Sequence, residues 1–524
     1  MPARGTNVAG DLVTSALRLP DKEAIVTADG TQAVSYRELH HAVERMSAFF
    51  HERGVRSGDR VAILQGNTWE HIASWYAILR IGAVCVDLNV ALSSEQWARM
   101  LSDCRPHGVV VDDTHRSGAA AAIAAAAEGV ALWLVADAAG ETAAAPPLHE
   151  ADAADVALIA YTSGTTGLPK GVMHSHDGLR AEIDLLIDSC GYDESWTSYV
   201  AIPLFSMHGY LPQVAVLCTV GGTVVVAGKF DPYEFAAASR RHKIAYTTLA
   251  SPMLPSLMAL PSDGRPDLSG IKTMSCGGAP LHPDTRAELE RTLGVHLTQG
   301  YGLTEILGAF VMDIDGTAPY GASGRVYPPG FQDTLRIQDD DGSALPRGEA
   351  GEIAFHRTRA TIGYWPDQSA IPAGSEWFPT GDIGKLDDDG YLYLLDRKKD
   401  VILRGGFTIY SAEIERVLTE DRAVSEATVI GVPDERVGEV PVAYVVLADA
   451  GDQAGEASRL QALVRQRLGG LKALDAVIVS TYGELPRNAL NKVVKADLRA
   501  RHRAGNGGQD GLTASDSKDA AGVS

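Results

Sequence analysis

Apolar positions near the start of the chain follow two periods in turn. Leu39, Val43, Met46 and Phe50 fall at helical spacing behind Ser35-Tyr36-Arg37-Glu38. A serine followed three residues later by a glutamate reads as a capping box, and Gly54 offers a stop. Val61–Leu64 is a short apolar run of the kind that forms a buried strand. Trp69–Ile81 returns to the helical period and ends before Gly82, and Ala83–Leu88 predicts another strand. The same alternation recurs with strands at Val156–Tyr161, Thr223–Ala227 and Ile271–Ser275, and with a helix after Pro283. Strands alternating with helices predict an α/β fold. Gly321–Glu352 is richer in Gly, Pro and Asp and leads into the alternating Glu352-Ile353-Ala354-Phe355, which predicts a β-rich subdomain.

A second unit is expected from about Arg397. It has helices at Glu413–Leu418, Arg459–Leu468 and Ala489–Arg501, and strands at Ala427–Val432, Val442–Leu447 and Ala476–Ser480. The polar run Asp396-Arg397-Lys398-Lys399-Asp400 at the boundary reads, taken alone, as a solvated charged turn. Gly118–Gly129 is alanine-rich but too short to span a bilayer, which takes roughly 18 apolar residues, and predicts a soluble helix. The N-terminus lacks the apolar core of a signal peptide. The Gly/Ser/Asp-rich stretch after Arg503 predicts a disordered tail.

Composition narrows the function classes. The 524 residues are 45% hydrophobic, enough for packed cores, and the net charge is −21 (46 Lys+Arg against 67 Asp+Glu). That acidity argues against a broad nucleic-acid or anionic-membrane footprint, which needs clustered Lys and Arg. A small phosphate pocket built on backbone N–H groups and a lysine remains compatible with it. The five cysteines, Cys85, Cys104, Cys190, Cys218 and Cys276, are odd in number and widely spaced. They predict a reduced, cytoplasmic protein without a disulfide framework. His174 and His176 form an HxH pair, but no third ligand stands at metal spacing, so no zinc site is read from them.

The most informative string is Tyr161-Thr-Ser-Gly-Thr-Thr-Gly-Leu-Pro-Lys170-Gly171, directly after the apolar Val156–Ala160. Glycines let backbone N–H groups approach a ligand, Ser163, Thr165 and Thr166 add hydroxyls, and Lys170 adds a positive charge. Such a loop can hold a polyphosphate. It is not the G-x-x-x-x-G-K-[ST] pattern.

Six further segments follow in order: Pro203-Leu-Phe-Ser-Met-His-Gly209, Gly277-Gly-Ala279, Gln299-Gly-Tyr-Gly-Leu-Thr-Glu305, Thr380-Gly-Asp382, Asp396–Asp400 and Leu485-Pro-Arg-Asn-Ala-Leu-Asn-Lys492. With the loop, they make the chain resemble the adenylate-forming superfamily of acyl-CoA synthetases, luciferases and nonribosomal adenylation domains over about residues 10 to 503. The resemblance implies a large N-terminal domain of layered α/β sheets plus a β-rich subdomain (1–397) and a small mobile α+β C-terminal domain (398–503), with 504–524 as tail. It implies an ATP-dependent ligase that joins an acid to AMP, releases pyrophosphate, and passes the acyl group to an acceptor thiol. Coenzyme A is the expected co-substrate, because Arg404–Glu415 resembles the acyl-CoA synthetase version and no carrier domain follows. Mg²⁺ is the expected metal.

By the same resemblance, Thr162, Ser163, Gly164, Thr165, Thr166, Gly167 and Lys170 would hold the β- and γ-phosphates. Gly277, Gly278, Ala279 and Tyr301 would border adenine, Thr304 would meet the α-phosphate, and Asp382 with Arg397 the ribose. Glu305, with Thr165, would hold Mg²⁺, a hard cation suited to oxygen ligands. Lys492 would be the catalytic lysine of adenylation, and Lys399 the hinge. The acid pocket would draw on Phe205, Ser206, His208, Ala250, Ser251, Cys276, Gly302 and Gly308. His208 either faces that pocket or turns away. The mix is small and weakly polar, which predicts a small aryl or medium-length acyl acid rather than a long-chain one. Ser206 in place of an aspartate disfavours an α-amino acid.

The sequence also departs from the family pattern. Ser411 stands where relatives often have proline, Asn491 replaces a glycine, and Asp87 and Val90 alter the common PLNP string. Ser411, with Ser206 standing where many acyl-activating relatives carry a histidine, keeps open an amine or carrier-protein acceptor, or a non-carboxylic oxyacid. A non-catalytic nucleotide-binding protein is disfavoured by the intact Lys170, Glu305, Asp382 and Lys492. Expected partners are therefore a small-molecule acid and an acceptor thiol or amine, with no nucleic acid or membrane, and with a homodimer left open.

Overall fold

The structure is a computed structural model that describes residues 5–126, 129–162, 170–277, 283–314, 316–319, 321–327, 329–359, 361–366, 375–448, 453–487 and 493–506. The chain divides into two units, 1–394 and 395–524.

The first unit is built on two largely parallel sheets. One has seven strands, in the order Gly363–Trp365, Lys170–Ser175, Val156–Thr162, Val84–Asp87, Arg60–Leu64, Gly108–Val111 and Ala131–Leu134. The other has nine, in the order Arg325–Val326, Gly308–Met312, Leu297–Leu303, Thr273–Gly277, Tyr246–Ala250, Thr197–Val200, Thr223–Val226, Glu23–Thr27 and Ala33–Ser35. Successive side chains on a strand point to opposite faces. Accordingly Val61 and Ile63 enter one core and Ala62 and Leu64 another. The first of these cores joins the two sheets. It takes Ile25 and Val224 from the nine-stranded sheet, Val61 and Cys85 from the seven-stranded one, and Phe49, Phe50, Trp75 and Tyr76 from the helices Tyr36–Glu52 and Trp69–Arg80. The far face of the nine-stranded sheet is covered by Phe235, Leu257 and Leu289. Sheets covered on both faces explain why their strands read as continuous apolar runs.

A four-stranded antiparallel sheet, Leu335–Gln338, Gly351–His356, Trp377–Leu386 and Leu392–Arg397, forms the β-rich part. Its Phe355, Phe378 and Leu392 pack with Tyr301 and Ile306, which carries this sheet to the end of strand Leu297–Leu303. The second unit is α+β. Strands Phe407–Ile409, Ile402–Arg404, Gly438–Leu447 and Val424–Asp434, with Ala476–Val479 added, pack against helices Ser411–Thr419 and Gln453–Leu468. Among the described residues no helix is long and apolar enough to cross a membrane.

The predicted capping box is present. Ser35 Oγ accepts the Glu38 amide at 3.2 Å while the Ser35 amide donates to Glu38 Oε2 at 2.8 Å. Helix Arg116–Ala126 occupies the alanine-rich stretch.

Two expectations are corrected. The last helix was expected over 489–501. The structure instead starts it at Lys495, because Arg487 and Val493 form an antiparallel bridge and the Val494 amide donates to the Pro486 carbonyl at 2.8 Å. The 396–400 run is not a solvated turn throughout, since Asp396 and Asp400 are each only 6% exposed. Asp396 accepts from both the amide and the hydroxyl of Ser411, and Asp400 from Arg499 at 2.8 Å. Lys495 completes the network, donating to Ser411 Oγ and pairing with Glu415, each at 2.7 Å. Ser411 thus uses its backbone N–H on a buried carboxylate, a donor that proline lacks.

Candidate active site

The glycine-rich string lies between two paired strands. Strand Val156–Thr162 leads into it and strand Lys170–Ser175 leaves it, paired antiparallel with Thr162 opposite Lys170. Ser163, Gly164, Thr165, Thr166 and Gly167 lie outside the described residues, as do Gly278, Ala279 and Lys492. At the entry to the loop the Tyr161 hydroxyl donates to Asp103 of helix Ser94–Cys104. At the exit Lys170 Nζ stands 5.1 Å from the ring centroid of Tyr364, within the range of a cation–π contact.

Strand Leu297–Leu303 supplies the next group. A register shift between Tyr301 and Gly302 lets the strand turn sharply into Thr304–Ile306, after which Gly308 pairs back with Leu303. Tyr301 stacks on Phe355, with ring centroids 6.3 Å apart and planes at 23°, and donates its hydroxyl to Asp382 Oδ2 at 2.8 Å. Asp382 is 5% exposed. Its loop is set by Gly381, whose φ of +75° favours glycine, and by Thr380 Oγ1, which accepts the Asp382 amide at 3.1 Å. The adenine and ribose candidates are therefore bonded to each other, a link the sequence did not suggest.

Glu305 follows four residues after Tyr301. Its Oε1 accepts the Tyr364 hydroxyl at 3.1 Å, and its backbone carbonyl accepts the Thr361 amide at 2.6 Å. The His174 imidazole lies against the backbone of Thr304. His174 and His176 are each 1% exposed, and burial pushes both imidazoles down to about 4. Both are therefore neutral packing groups at pH 7. Among the described residues no group of three His, Cys, Asp or Glu is placed to hold a metal. Glu305 as a single hard carboxylate, linked through Tyr364 to Lys170, fits Mg²⁺, a cation that takes only one or two carboxylates and keeps several waters.

The acid-pocket candidates lie in or beside the short helix Met207–Tyr210 and the strands Tyr246–Ala250, Thr273–Gly277, Leu297–Leu303 and Gly308–Met312. Ser206 caps the short helix Met207–Tyr210. Its Oγ accepts the Gly209 amide at 3.0 Å and donates to the Pro203 carbonyl at 2.7 Å, so its hydroxyl is committed to the backbone. A Cβ at Gly209 would meet the Pro203 oxygen at 2.2 Å, so this turn requires glycine. His208 lies on the same helix, where burial lowers its pKa. Phe205 is half-buried. Ala250 ends strand Tyr246–Ala250, and Ser251 Oγ lies 3.4 Å from Cys276 Sγ and 3.3 Å from the carbonyl of Gly277. Cys276 is 2% exposed, and Gly302 pairs with Ala309. In the second unit, Arg397 precedes the turn Lys398–Asp400, which carries Lys399. The sequence reading missed Tyr364 and Thr361. Their only signals are an aromatic pair after Gly363 and a β-branched residue before it, in a strand of three residues that is too short for a periodic pattern.

The AMP-binding enzyme family matches residues 12–365, and the AMP-binding enzyme C-terminal domain matches residues 413–492. The chain belongs to the AMP-binding enzyme family. A feruloyl-CoA synthase of Amycolatopsis sp is 35% identical over 90% of this chain and 94% of its own. The indoleacetate–CoA ligase of Aromatoleum aromaticum is 33% identical over 93% of this chain and 94% of its own. Among solved structures, the o-succinylbenzoate CoA synthetase of Bacillus subtilis in complex with its acyl-adenylate intermediate superposes with a TM-score of 0.82. It is 29% identical and covers 93% of this chain and 97% of that one.

Proposed function

We propose that this AMP-binding enzyme is an acid–CoA ligase acting on a small aryl or medium-length acyl acid. A carboxylate oxygen of the acid attacks the α-phosphorus of ATP, the bond to the β-phosphate breaks, and pyrophosphate leaves. The thiolate of coenzyme A then attacks the acyl carbon of the adenylate, and AMP leaves. The observation that carries the reading is the meeting of Lys170 and Glu305 on Tyr364, with Glu305 four residues along the chain from Tyr301 of the bonded Tyr301–Asp382 pair. It supports the reading of Lys170, Glu305 and Asp382 as a phosphate cation, a metal carboxylate and a ribose acceptor grouped near the end of strand Leu297–Leu303.

In this reading Thr162 and Lys170 act with the rest of the loop to balance the charge on departing pyrophosphate, which lowers the barrier. Asp382 accepts the ribose hydroxyls, and the Tyr301 bond holds its carboxylate ready. Glu305 would hold Mg²⁺, which when bound neutralises phosphate oxygens. Lys492 brings an ammonium to the reacting carboxylate and α-phosphate. The committed Ser206 hydroxyl leaves Phe205, His208, Ala250 and Ser251 to shape the acid pocket, whose small and weakly polar character suits an aromatic acid. The names of the feruloyl and indoleacetate relatives point the same way and favour coenzyme A as acceptor. Five free cysteines suit a reducing compartment, for which we take the cytoplasm.

The test is acid-dependent ATP–pyrophosphate exchange across hydroxycinnamic, arylacetic, benzoic, medium-chain, palmitic and α-amino acids. Exchange with the aryl or medium-chain acids is expected. Exchange with palmitate alone would refute the substrate class, and exchange with none of the acids would count against adenylation.

A further inference from the structure

Tyr364 lies in the three-residue strand Gly363–Trp365, which pairs antiparallel with Lys170–Ser175 so that Tyr364 stands opposite Val172. The strand is pinned on both sides. Before it, Thr361 donates its hydroxyl to the Met173 carbonyl and its amide to the Glu305 carbonyl. After the tyrosine, Trp365 donates Nε1 to the Asp103 carbonyl at 3.0 Å. Asp103 is also the residue whose carboxylate takes the Tyr161 hydroxyl at the loop entry. The backbone of this short strand therefore ties the phosphate hairpin to the Thr304–Ile306 turn.

The tyrosine side chain repeats that tie at the chemical groups themselves. Its hydroxyl fixes Oε1 of Glu305 at 3.1 Å, and its ring faces the Lys170 ammonium at 5.1 Å. A hydrogen bond on one carboxylate oxygen sets the plane of the group and so aims the other oxygen. A ring face holds an ammonium without consuming any of its three N–H donors, which stay available for phosphate oxygens.

We infer that Tyr364 is a positioning residue of the nucleotide site, its hydroxyl orienting the Glu305 carboxylate and its ring steering the Lys170 ammonium so that metal and phosphate groups keep one mutual register. The inference rests on the proposed ATP site and adds to it a residue that acts through Glu305 and Lys170.

The experiment is a magnesium titration of ATP–pyrophosphate exchange in Tyr364→Phe, which keeps the ring and removes the hydroxyl. Loss of a partner that orients a metal ligand typically weakens metal affinity by 10–100-fold. The apparent Mg²⁺ constant should therefore rise about tenfold, with kcat at saturating Mg²⁺ changed less than about threefold and the melting temperature nearly unchanged. Tyr364→Leu, which also removes the ring, should in addition weaken ATP binding in EDTA, where Tyr364→Phe should not. Mn²⁺ binding in the presence of ATP and absence of acid, read by electron paramagnetic resonance, should show the same loss in Tyr364→Phe. This readout needs no turnover, so it holds even if the acid substrate has been misassigned. In a Glu305→Gln background the Phe substitution should add nothing. A wild-type metal constant in Tyr364→Phe, or an equal further loss in the Glu305→Gln background, would overturn the inference.

Discussion

His71 and Asp87 form an ion pair deep in the first unit, and cutting it from either side should give unequal and pH-dependent losses. Nε2 of His71 lies 2.7 Å from Asp87 Oδ2, and Nδ1 faces the carbonyls of Gln65 and Gly66 at 3.2 and 3.1 Å. Both residues are buried, at 1% and 5% exposure. Every partner of the ring is an acceptor, so the pair is an imidazolium beside a carboxylate. Burial alone would lower the His71 pKa, but the Asp87 charge and the hydrogen bonds to Asp87, Gly66 and Gln65 outweigh it and leave it above its ordinary value.

His71→Leu strands Asp87 in the core, where breaking one side of a buried pair costs about 3–5 kcal/mol. With an unfolding entropy of about 2.1 cal/mol/K per residue, the 394-residue unit has a slope of ~0.8 kcal/mol per degree, so Tm should fall by about 4–6 °C. Asp87→Leu leaves a histidine that can become neutral, and should cost less. His71→Leu/Asp87→Leu should recover part of the single-variant loss, because an apolar replacement of a buried pair is often nearly neutral.

The pH sign follows from the raised His71 pKa. Its contribution is fully present below the unfolded value near 6.5 and is lost as pH rises through the higher folded value. The advantage of the wild type over the double variant should therefore shrink above neutrality. Calorimetric melting at several pH values checks this. A double variant as damaged as the sum of the singles, or a wild-type advantage that grows with pH, would refute the pairing.

Other consequences concern the second unit and the two half-reactions. Lys492→Ala should reduce ATP–pyrophosphate exchange by at least about 10²–10³-fold while largely sparing coenzyme A attack on a synthetic adenylate. Near-native exchange would remove Lys492 from its role. Lys399→Pro, which fixes φ near −65°, should slow thioester formation far more than adenylation, as single-turnover measurements of each step would reveal. Ser411→Pro deletes two donors to buried Asp396, and at about 1.5–3 kcal/mol per bond to a charged group should cost the second unit about 3–6 kcal/mol in denaturant titrations. Ser411→Ala, which keeps the N–H, should cost about half.

Much of this molecule could be read before any coordinates. The capping box at Ser35 and the runs at Val61–Leu64 and Val156–Tyr161 were legible because a local period or a capping pair encodes them directly. The strand Gly363–Trp365 was not, since three residues carry no period and its pairing with Lys170–Ser175 is set by contacts almost 200 positions apart. The final helix was misjudged because the Arg487–Val493 bridge competes with an otherwise helical pattern. At the site, single roles were readable from motif strings, but side-chain partnerships were not. Tyr301 as an aromatic face and Asp382 as a ribose acceptor were expected separately, while their mutual bond depends on how the antiparallel sheet meets strand Leu297–Leu303. Ser411 was a bare anomaly in sequence and acquires its physical reason only from the buried Asp396.

The most direct test of the central claim is isotopic. An aryl acid that supports exchange, labelled with ¹⁸O in its carboxylate, is turned over with ATP, Mg²⁺ and coenzyme A, and the nucleotide and acyl products are weighed by mass spectrometry. If the carboxylate attacks the α-phosphorus, each AMP carries one ¹⁸O and forms with one thioester. Formation of ADP and phosphate, or of AMP without label, would contradict the account.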